Sequence, residues 1–436
     1  MSGFQESFGV PTARQVAGGV LLRILSDGAW ASRALDAELS RARMIGSESA
    51  RATDLVYGTL RAHRDLDARI ATACDKGPPT DLAAITALRM ATYELVHTPE
   101  SSHAIVDGWV QFTKDERGEG LSRFVNAVLR RLSRDRPETP LPRKASVPSW
   151  IEKLALRSLG EARASALLTS LAETPPLALR ARNAADRDAL LAAIAEARPD
   201  AEVWAGSLSP LAVLVRGAGD PRKLPGYREG RFSVQDEGSQ LIAAAVGAQP
   251  GERVIDACAG RGGKTMALAE AVGATGRVVA IDIAEPKLER LSDELKRLTI
   301  EDERIERHAI DLSVGLGGLP EASFDRVLID APCSGLGTLG RRPELSLRLT
   351  YEDPQRLATL QSAILQNAVR LLKPGGRLVY AVCSIANIEI AAARELTLTP
   401  ADPALAVAVD PDGVLRIGPW NVGHTMDAYQ VVVRTR

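Results

Sequence analysis

The chain is poor in the residues that cross-link proteins or bind metals. It has only four cysteines, Cys74, Cys258, Cys333 and Cys383. Their spacing fits neither a disulfide framework nor a zinc site, so a reduced cytoplasm is the expected compartment. The five histidines form no pair at metal-ligand spacing, and no metal is expected. Six Phe, six Tyr and five Trp are too few for broad base-stacking platforms. Long apolar runs are missing too: Leu241 to Ala248 is among the longest, far short of a bilayer span. Met1 to Arg14 contains no apolar stretch of the kind that drives secretion, so neither a leader nor a membrane anchor is expected. Net charge is −1, so bulk composition does not point to a polyanionic partner.

What remains is ordinary for a globular chain, 45% apolar and 25% charged, and 436 residues imply two or three domains. From Pro11 to about Ser133 apolar residues recur at i, i+3 and i+4, which predicts helices throughout. A basic stripe, Arg123, Arg130, Arg131, Arg134, Arg136, Arg143 and Lys144, closes this part and has the character of a phosphate-following surface or of a solvated helix end. Pro137, Pro140, Pro142 and Pro148 mark a linker. The spacing then predicts helices around Ile151 to Glu173 and Arg187 to Ala197, with strands at Leu177 to Ala181 and Leu211 to Arg216. The expected division is 1–136 all-α, 137–149 linker, 150–232 small α+β, and 233–436 catalytic.

In the last part strands alternate with helices. Expected strands are Arg253 to Cys258, Arg277 to Ile283, Ile305 to Asp311, Phe324 to Ala331, Arg377 to Ser384 and Tyr429 to Arg434. Expected helices are Lys264 to Val272, Glu285 to Leu298 and Pro354 to Leu372, the last closed by Lys373-Pro374-Gly375-Gly376. Such alternation indicates a mostly parallel, doubly wound α/β sheet, whose ligands lie over the carboxyl ends of the strands. The first strand leads into Ala259-Gly260-Arg261-Gly262-Gly263-Lys264, and the second ends on Asp282. A glycine turn followed about twenty residues on by an acid suits an adenosine-containing cofactor, the carboxylate taking a ribose diol. The G-x-G-x-x-G spacing is absent, which disfavours NAD against S-adenosylmethionine. Asp311 is placed either to meet an adenine amino group or to cap a helix before Leu312.

The fourth and fifth strands end in Asp330-Ala331-Pro332-Cys333-Ser334 and Ala381-Val382-Cys383-Ser384. Adjacent strands would bring both thiols over one crevice. A single strand-end cysteine is more often a small buried hydrophobe; two at neighbouring strand ends reverse that expectation. Carbon 5 of cytosine is a poor nucleophile until a thiolate adds at carbon 6, a covalent strategy that a second cysteine can help to unwind. Asp330 can hydrogen-bond the edge of the ring during addition. Cys258 is expected to contact a cofactor through its backbone, and Cys74 to lie in the core.

These segments, with Phe232 to Leu241, Asp256 to Thr265, Arg342-Pro343 and Tyr380 to Ser384, resemble the bacterial ribosomal RNA cytosine-5 methyltransferases of the RsmB/Sun type within the NOL/NOP/Sun family. Val56 to Arg61 and Phe124 to Arg131 resemble the NusB-like RNA-binding domain of the same subfamily. The resemblance covers almost the whole chain. It implies a Rossmann-like class I methyltransferase domain preceded by an all-α NusB-like domain and a small α+β domain, with S-adenosylmethionine as cofactor. It also implies Cys383 as nucleophile and Cys333 as the residue that helps release product. Cys258, Ala259, Gly260, Arg261, Gly262, Gly263, Lys264, Asp282, Asp311 and Asp330 fall at cofactor positions. The implied partner is RNA, most directly 16S rRNA, with an unpaired or flipped cytosine, acted on by a monomer. The loop Ser334 to Arg342 is expected to be mobile, with Arg341 and Arg342 on a phosphate and Lys264 also toward substrate. The chain departs from the family at Arg261, where proline is usual, at Ile390 after Glu389, where asparagine is usual, and at Met426 to Gln430. Two other readings stay open: the same chemistry redirected to a non-ribosomal RNA, peptide or small molecule, and a non-catalytic RNA-binding assembly factor.

Overall fold

The computed structural model describes residues 11–403, 405 and 407–436, so the expectation for Met1 to Arg14 lies outside the described residues through position 10. The chain divides into two compact units. The first runs through Ser149 and takes in Leu171–Glu173 and Arg342–Arg348; the second holds Trp150–Ser170, Thr174–Arg341 and Leu349–Arg436.

The first unit is helical: α1 (Ala13–Ser26), α2 (Ala31–Arg41), α3 (Gly46–Ala73), α4 (Leu82–His97), α5 (Ser102–Arg117) and α6 (Glu119–Arg134). Local sequence sets the boundaries. Thr12 and Gln15 form a capping box on α1, Asp81 caps α4, and Ser101 caps α5, each accepting from backbone N–H groups that would otherwise lack partners. Gly118 at φ +79 breaks α5 from α6. The core gathers Leu21, Leu55, Leu60, Leu66, Leu88 and Trp109. Gly58 on α3 lies so close to the Tyr93 ring that a Cβ there would come within 2.2 Å of it. The proline-rich stretch is laid along these helices, with Leu141 N bonded to Val96 O and Ser146 N to Arg61 O, both at 2.9 Å.

The second unit contains two sheets. The smaller is antiparallel, built from β1 (Leu177–Ala181), β2 (Glu202–Ala205), β3 (Ala212–Arg216) and β4 (Phe232–Val234) in the order β2-β3-β1-β4. Helices α7 (Ser149–Leu159) and α8 (Glu161–Ser170) precede it, split at Gly160 (φ +76), and α9 (Ala184–Ala197) packs Leu190 and Ile194 onto it. The sequence pattern located β1, β3 and α9 but not β2 and β4.

The larger sheet comprises β5 (Arg253–Asp256), β6 (Arg277–Asp282), β7 (Ile305–Ala309), β8 (Phe324–Asp330), β9 (Leu372–Val382), β10 (Thr399–Pro400), β11 (Leu415–Ile417) and β12 (Tyr429–Thr435). Its order is β10-β12-β9-β8-β5-β6-β7, with β11 on β12. Strands β9, β8, β5, β6 and β7 run parallel and β12 runs antiparallel to β9. Period-two alternation sends Val254, Val278, Leu328 and Val379 to one face. Helices α10 (Glu237–Ala245), α11 (Gly263–Val272), α12 (Glu285–Glu289) and α13 (Leu291–Leu298) contribute to that core. Ile255, Val279, Ile329 and Tyr380 go to the other face with α14 (Asp353–Leu371) and α15 (Ala391–Arg394). The sheet is the Rossmann-like, mostly parallel one that the alternation predicted. Arg290 breaks the single helix expected over Glu285 to Leu298, and β9 starts at Leu372, within the segment expected to end a helix. Strand order reverses between β5 and β8, the place where doubly wound sheets open a ligand crevice. Among the described residues, no helix is long and apolar enough to cross a membrane.

Candidate active site

At the carboxyl end of β5 the chain turns through Gly260 (φ +57) and Gly262 (φ +80) into α11. A Cβ on Gly262 would lie 2.0 Å from Leu291 Cδ2, so this position must be glycine for α13 to close on the turn. Gly263, exposed at the start of α11, has open space where a Cβ would stand. Asp282, ending β6, accepts Gly260 N at 3.0 Å and Ala284 N at 2.9 Å, and Lys287 Nζ lies 3.0 Å away. A backbone turn open to close approach, next to a carboxylate at the neighbouring strand end, suits an adenosine-bearing cofactor. Asp311 accepts Ser313 N at 2.8 Å and Ser313 Oγ at 2.6 Å, an Asx turn rather than a helix cap. Ala259 is buried, Cys258 lies partly exposed against the core, and Arg261 is exposed. Burial, with Asp256 next, pushes the Cys258 thiol well up, the direction of an inert thiol.

Asp256, ending β5, is buried and accepts Thr265 Oγ1 at 2.7 Å; burial raises its carboxyl to about 6 despite that bond. Across the strand-order reversal, Asp330 ends β8. Lys264 Nζ, from the first turn of α11, reaches its Oδ2 at 2.7 Å. Burial opposes the Lys264 charge, but Asp330 outweighs it with help from Asp256 and Cys383, leaving the ammonium above its ordinary value. Lys264 is therefore a cation held at Asp330, under the influence of Asp256 and of Cys383 at the end of β9.

The two thiols meet. β8 and β9 are parallel neighbours with Asp330 in register with Ala381, and Cys333 Sγ lies 3.1 Å from Cys383 Sγ. The bond to Cys383, then burial, then the charges of Cys383, Glu389 and Asp330 push the Cys333 thiol well up, so it stays protonated. Cys383, Cys333, Asp330 and Lys264 thus occupy one crevice. Cys74 lies 8% exposed in the helical core, remote in sequence and unit.

The structure differs from expectation in the loop after Cys333. Ser334 through Gly340 are buried, not a mobile surface segment. Gly337 is glycine because a Cβ there would meet Ala428 O at 1.9 Å; its N–H donates to Cys383 O at 3.0 Å, and its carbonyl accepts Ala428 N at 2.8 Å. Arg341 turns inward, donating to Pro176 O at 3.1 Å and Asp236 at 2.9 Å and pairing with Asp427 at 3.4 Å. Two acids hold that guanidinium, which removes it from the phosphate role given to it by the sequence. Arg342 is exposed, its guanidinium 5.7 Å from the Trp30 ring centroid in the first unit.

Sequence reasoning met Glu389 only as the residue before Ile390 and gave it no role. This side chain, 1% exposed, accepts Ser334 N at 2.7 Å, Ser334 Oγ at 2.6 Å, Gln361 Nε2 at 3.1 Å and the Ser384 hydroxyl. Its trace in the sequence is its place five residues after Ser384, in the family segment that departs at Ile390. Among the described residues, no group of three or more His, Cys, Asp or Glu side chains could hold a metal.

Comparison with known proteins follows the same division. The family described as "16S rRNA methyltransferase RsmB/F" matches residues 243–406, and the NusB family matches residues 11–134. The chain is 35% identical over 395 residues to the putative methyltransferase Rv1407 of Mycobacterium tuberculosis, covering 85% of this chain and 83% of that one. It is 34% identical to ribosomal RNA small subunit methyltransferase B of Pseudomonas putida, covering 85% of each. Among solved structures it is similar to PH0851 (TM-score 0.80, 23% identity, 98% of this chain and 99% of that one). NSun6 from Pyrococcus horikoshii follows at TM-score 0.57 and 17% identity, covering 66% of this chain and 98% of that one; both likenesses concern fold. The chain belongs to the RsmB/F family and is an S-adenosylmethionine-dependent methyltransferase.

Proposed function

We propose that the enzyme methylates carbon 5 of a cytosine in 16S rRNA, in the cytoplasm and as a monomer. The observation that carries this reading is the 3.1 Å approach of the Cys333 and Cys383 sulfurs at adjacent strand ends, beside the Lys264–Asp330 pair. Cys383 as thiolate bonds to carbon 6, and the carbon 5–carbon 6 double bond becomes an enamine nucleophilic at carbon 5. The cofactor, when bound, supplies an electrophilic methyl group. After carbon 5 is methylated its proton passes to solvent water, that electron pair restores the carbon 5–carbon 6 double bond, and the sulfur–carbon 6 bond breaks to return Cys383 as thiolate. Cys333, a neutral thiol 3.1 Å away, assists this release by donating a hydrogen bond to the departing sulfur. Asp330 holds the ring edge, and Lys264, 2.7 Å from its Oδ2, holds that carboxyl group in place, facing substrate as well as cofactor.

Cys258 to Lys264, Asp282, Asp311 and Asp330 are assigned to the cofactor, with Asp282 on the ribose and Asp311 toward adenine. Arg342 is assigned to a backbone phosphate of the RNA. Functionally the chain divides into 1–136 for RNA binding, a linker over 137–149, a small domain over 150–232 and the catalytic domain over 233–436. The curated relatives named for the small ribosomal subunit support 16S rRNA as substrate. The test is bisulfite sequencing of ribosomal RNA from cells lacking the gene. One 16S cytosine should lose its protection from conversion; an unchanged pattern would remove the ribosomal substrate and leave a redirected one.

A further inference from the structure

Three structural elements converge beneath the two thiols, on residues with no assigned role. Ser334 follows Cys333 and Ser384 follows Cys383. Both hydroxyls donate to Glu389, and the two hydroxyl oxygens lie 3.0 Å apart. Gln361 of α14 donates to Pro332 O at 2.9 Å and to Glu389 at 3.1 Å. The backbone is therefore tied on both sides of Cys333, through Pro332 O and Ser334 N. On the other strand end, Ser384 O accepts Gln430 Nε2 at 3.1 Å, and Ser384 Oγ accepts Ala386 N at 3.1 Å. Glu389 is fixed in turn, its carbonyl accepting the Tyr380 hydroxyl at 2.9 Å.

We propose that Glu389 is a positioning residue for methyl transfer: its carboxylate clamps the residues that follow Cys333 and Cys383, holding the two thiols in register so that one adds and the other releases. The inference rests on the cysteine roles proposed above. All four donors to the carboxylate are neutral. The clamp also acts on the thiol it positions: behind the bond to Cys383, burial and the charge of Cys383, Glu389 helps to push the Cys333 thiol up. A carboxylate accepts at both oxygens, whereas a glutamine can keep Ser334 N and Gln361 on its oxygen but must turn both serine hydroxyls round to accept from its N–H₂, and it carries no charge.

The test compares E389Q, E389D, S384A and S334A with the full-length wild type, after thermal melting confirms folding. Two readouts are taken: methyl transfer to total RNA from labelled S-adenosylmethionine, and mass-spectrometric mapping of iodoacetamide labelling at Cys333 and Cys383. E389Q should lose about 100-fold in kcat, the scale of an ångström-level misplacement, with little change in KM for cofactor. Its labelling selectivity between the two thiols should collapse by about tenfold, and E389D should recover part of both. If E389Q does not fold, S384A and S334A take its place, each with smaller losses of the same kind. Folded E389Q, or both serine variants, with wild-type kcat and labelling selectivity would overturn the inference. If C383A remained active, the cysteine reading itself would fail, whatever E389Q did.

Discussion

The two units treat a buried glutamate in opposite ways. In the helical unit Glu94, 1% exposed, is met by Arg14 at 2.8 Å and 3.0 Å, by Arg51 at 2.9 Å and by the Trp109 indole N–H at 2.6 Å. In the sheet unit Glu389, equally buried, is met by serines, a backbone amide and a glutamine side chain. Asp256, close to the same crevice, has a threonine hydroxyl for its partner. Guanidinium pairing cancels the charge of a buried carboxylate and makes it a structural tie. Neutral donors fix the geometry but leave the charge in place, able to act on neighbouring titratable groups. The contrast separates a carboxylate that builds a fold from carboxylates that set up a site.

The largest expected effect that sharpens this contrast is in the helical unit. Glu94→Ala strands Arg14 and the Trp109 N–H, leaves Arg51 with Glu100 alone at 2.8 Å, and should cost the first unit about 4 kcal/mol in denaturant unfolding. The kcat of whatever remains folded should be unchanged. A parallel fall in kcat would break the distinction between structural and site carboxylates.

A smaller effect is expected at Asp256, whose carboxyl rises from an ordinary 3.8 to about 6 in the folded protein. A raised carboxyl contributes stability below the unfolded value that is lost as pH climbs through the folded one. Between pH 4 and pH 7 the wild type should therefore lose about 2 kcal/mol relative to Asp256→Asn, which keeps an acceptor for Thr265 without the charge. Equal pH dependence in the two proteins would show that Asp256 ionises freely in its buried position.

Much of this was legible in the sequence, and the limits have physical causes. Short apolar strands alternating with helices announced the parallel sheet, because strands buried on both faces must be apolar throughout. Asp-Ala-Pro-Cys and Val-Cys-Ser ended two consecutive strands of that pattern, so their convergence followed from parallel pairing. The strands β2, β10 and β11 are four residues or fewer, too short to show a period. Glu389 was visible in the sequence as the residue before the family departure at Ile390, but its role was not, because its partners lie 55 and 28 residues away as well as nearby. Arg341 looked like a surface cation because its two acids, Asp236 and Asp427, are distant along the chain. Glycines in the Cys333 loop suggested mobility, whereas Gly337 serves close packing against Ala428.

The central claim is the division of labour between the two thiols, and one denaturing gel tests it most directly. Cys333→Ala and Cys383→Ala are each incubated with S-adenosylmethionine and 16S rRNA, then separated under conditions that preserve only covalent bonds. Cys333→Ala should run as a protein–RNA adduct, since addition proceeds while release stalls, and Cys383→Ala should give neither adduct nor methylated RNA. Methylation by Cys383→Ala, or an adduct formed without Cys383, would contradict the account.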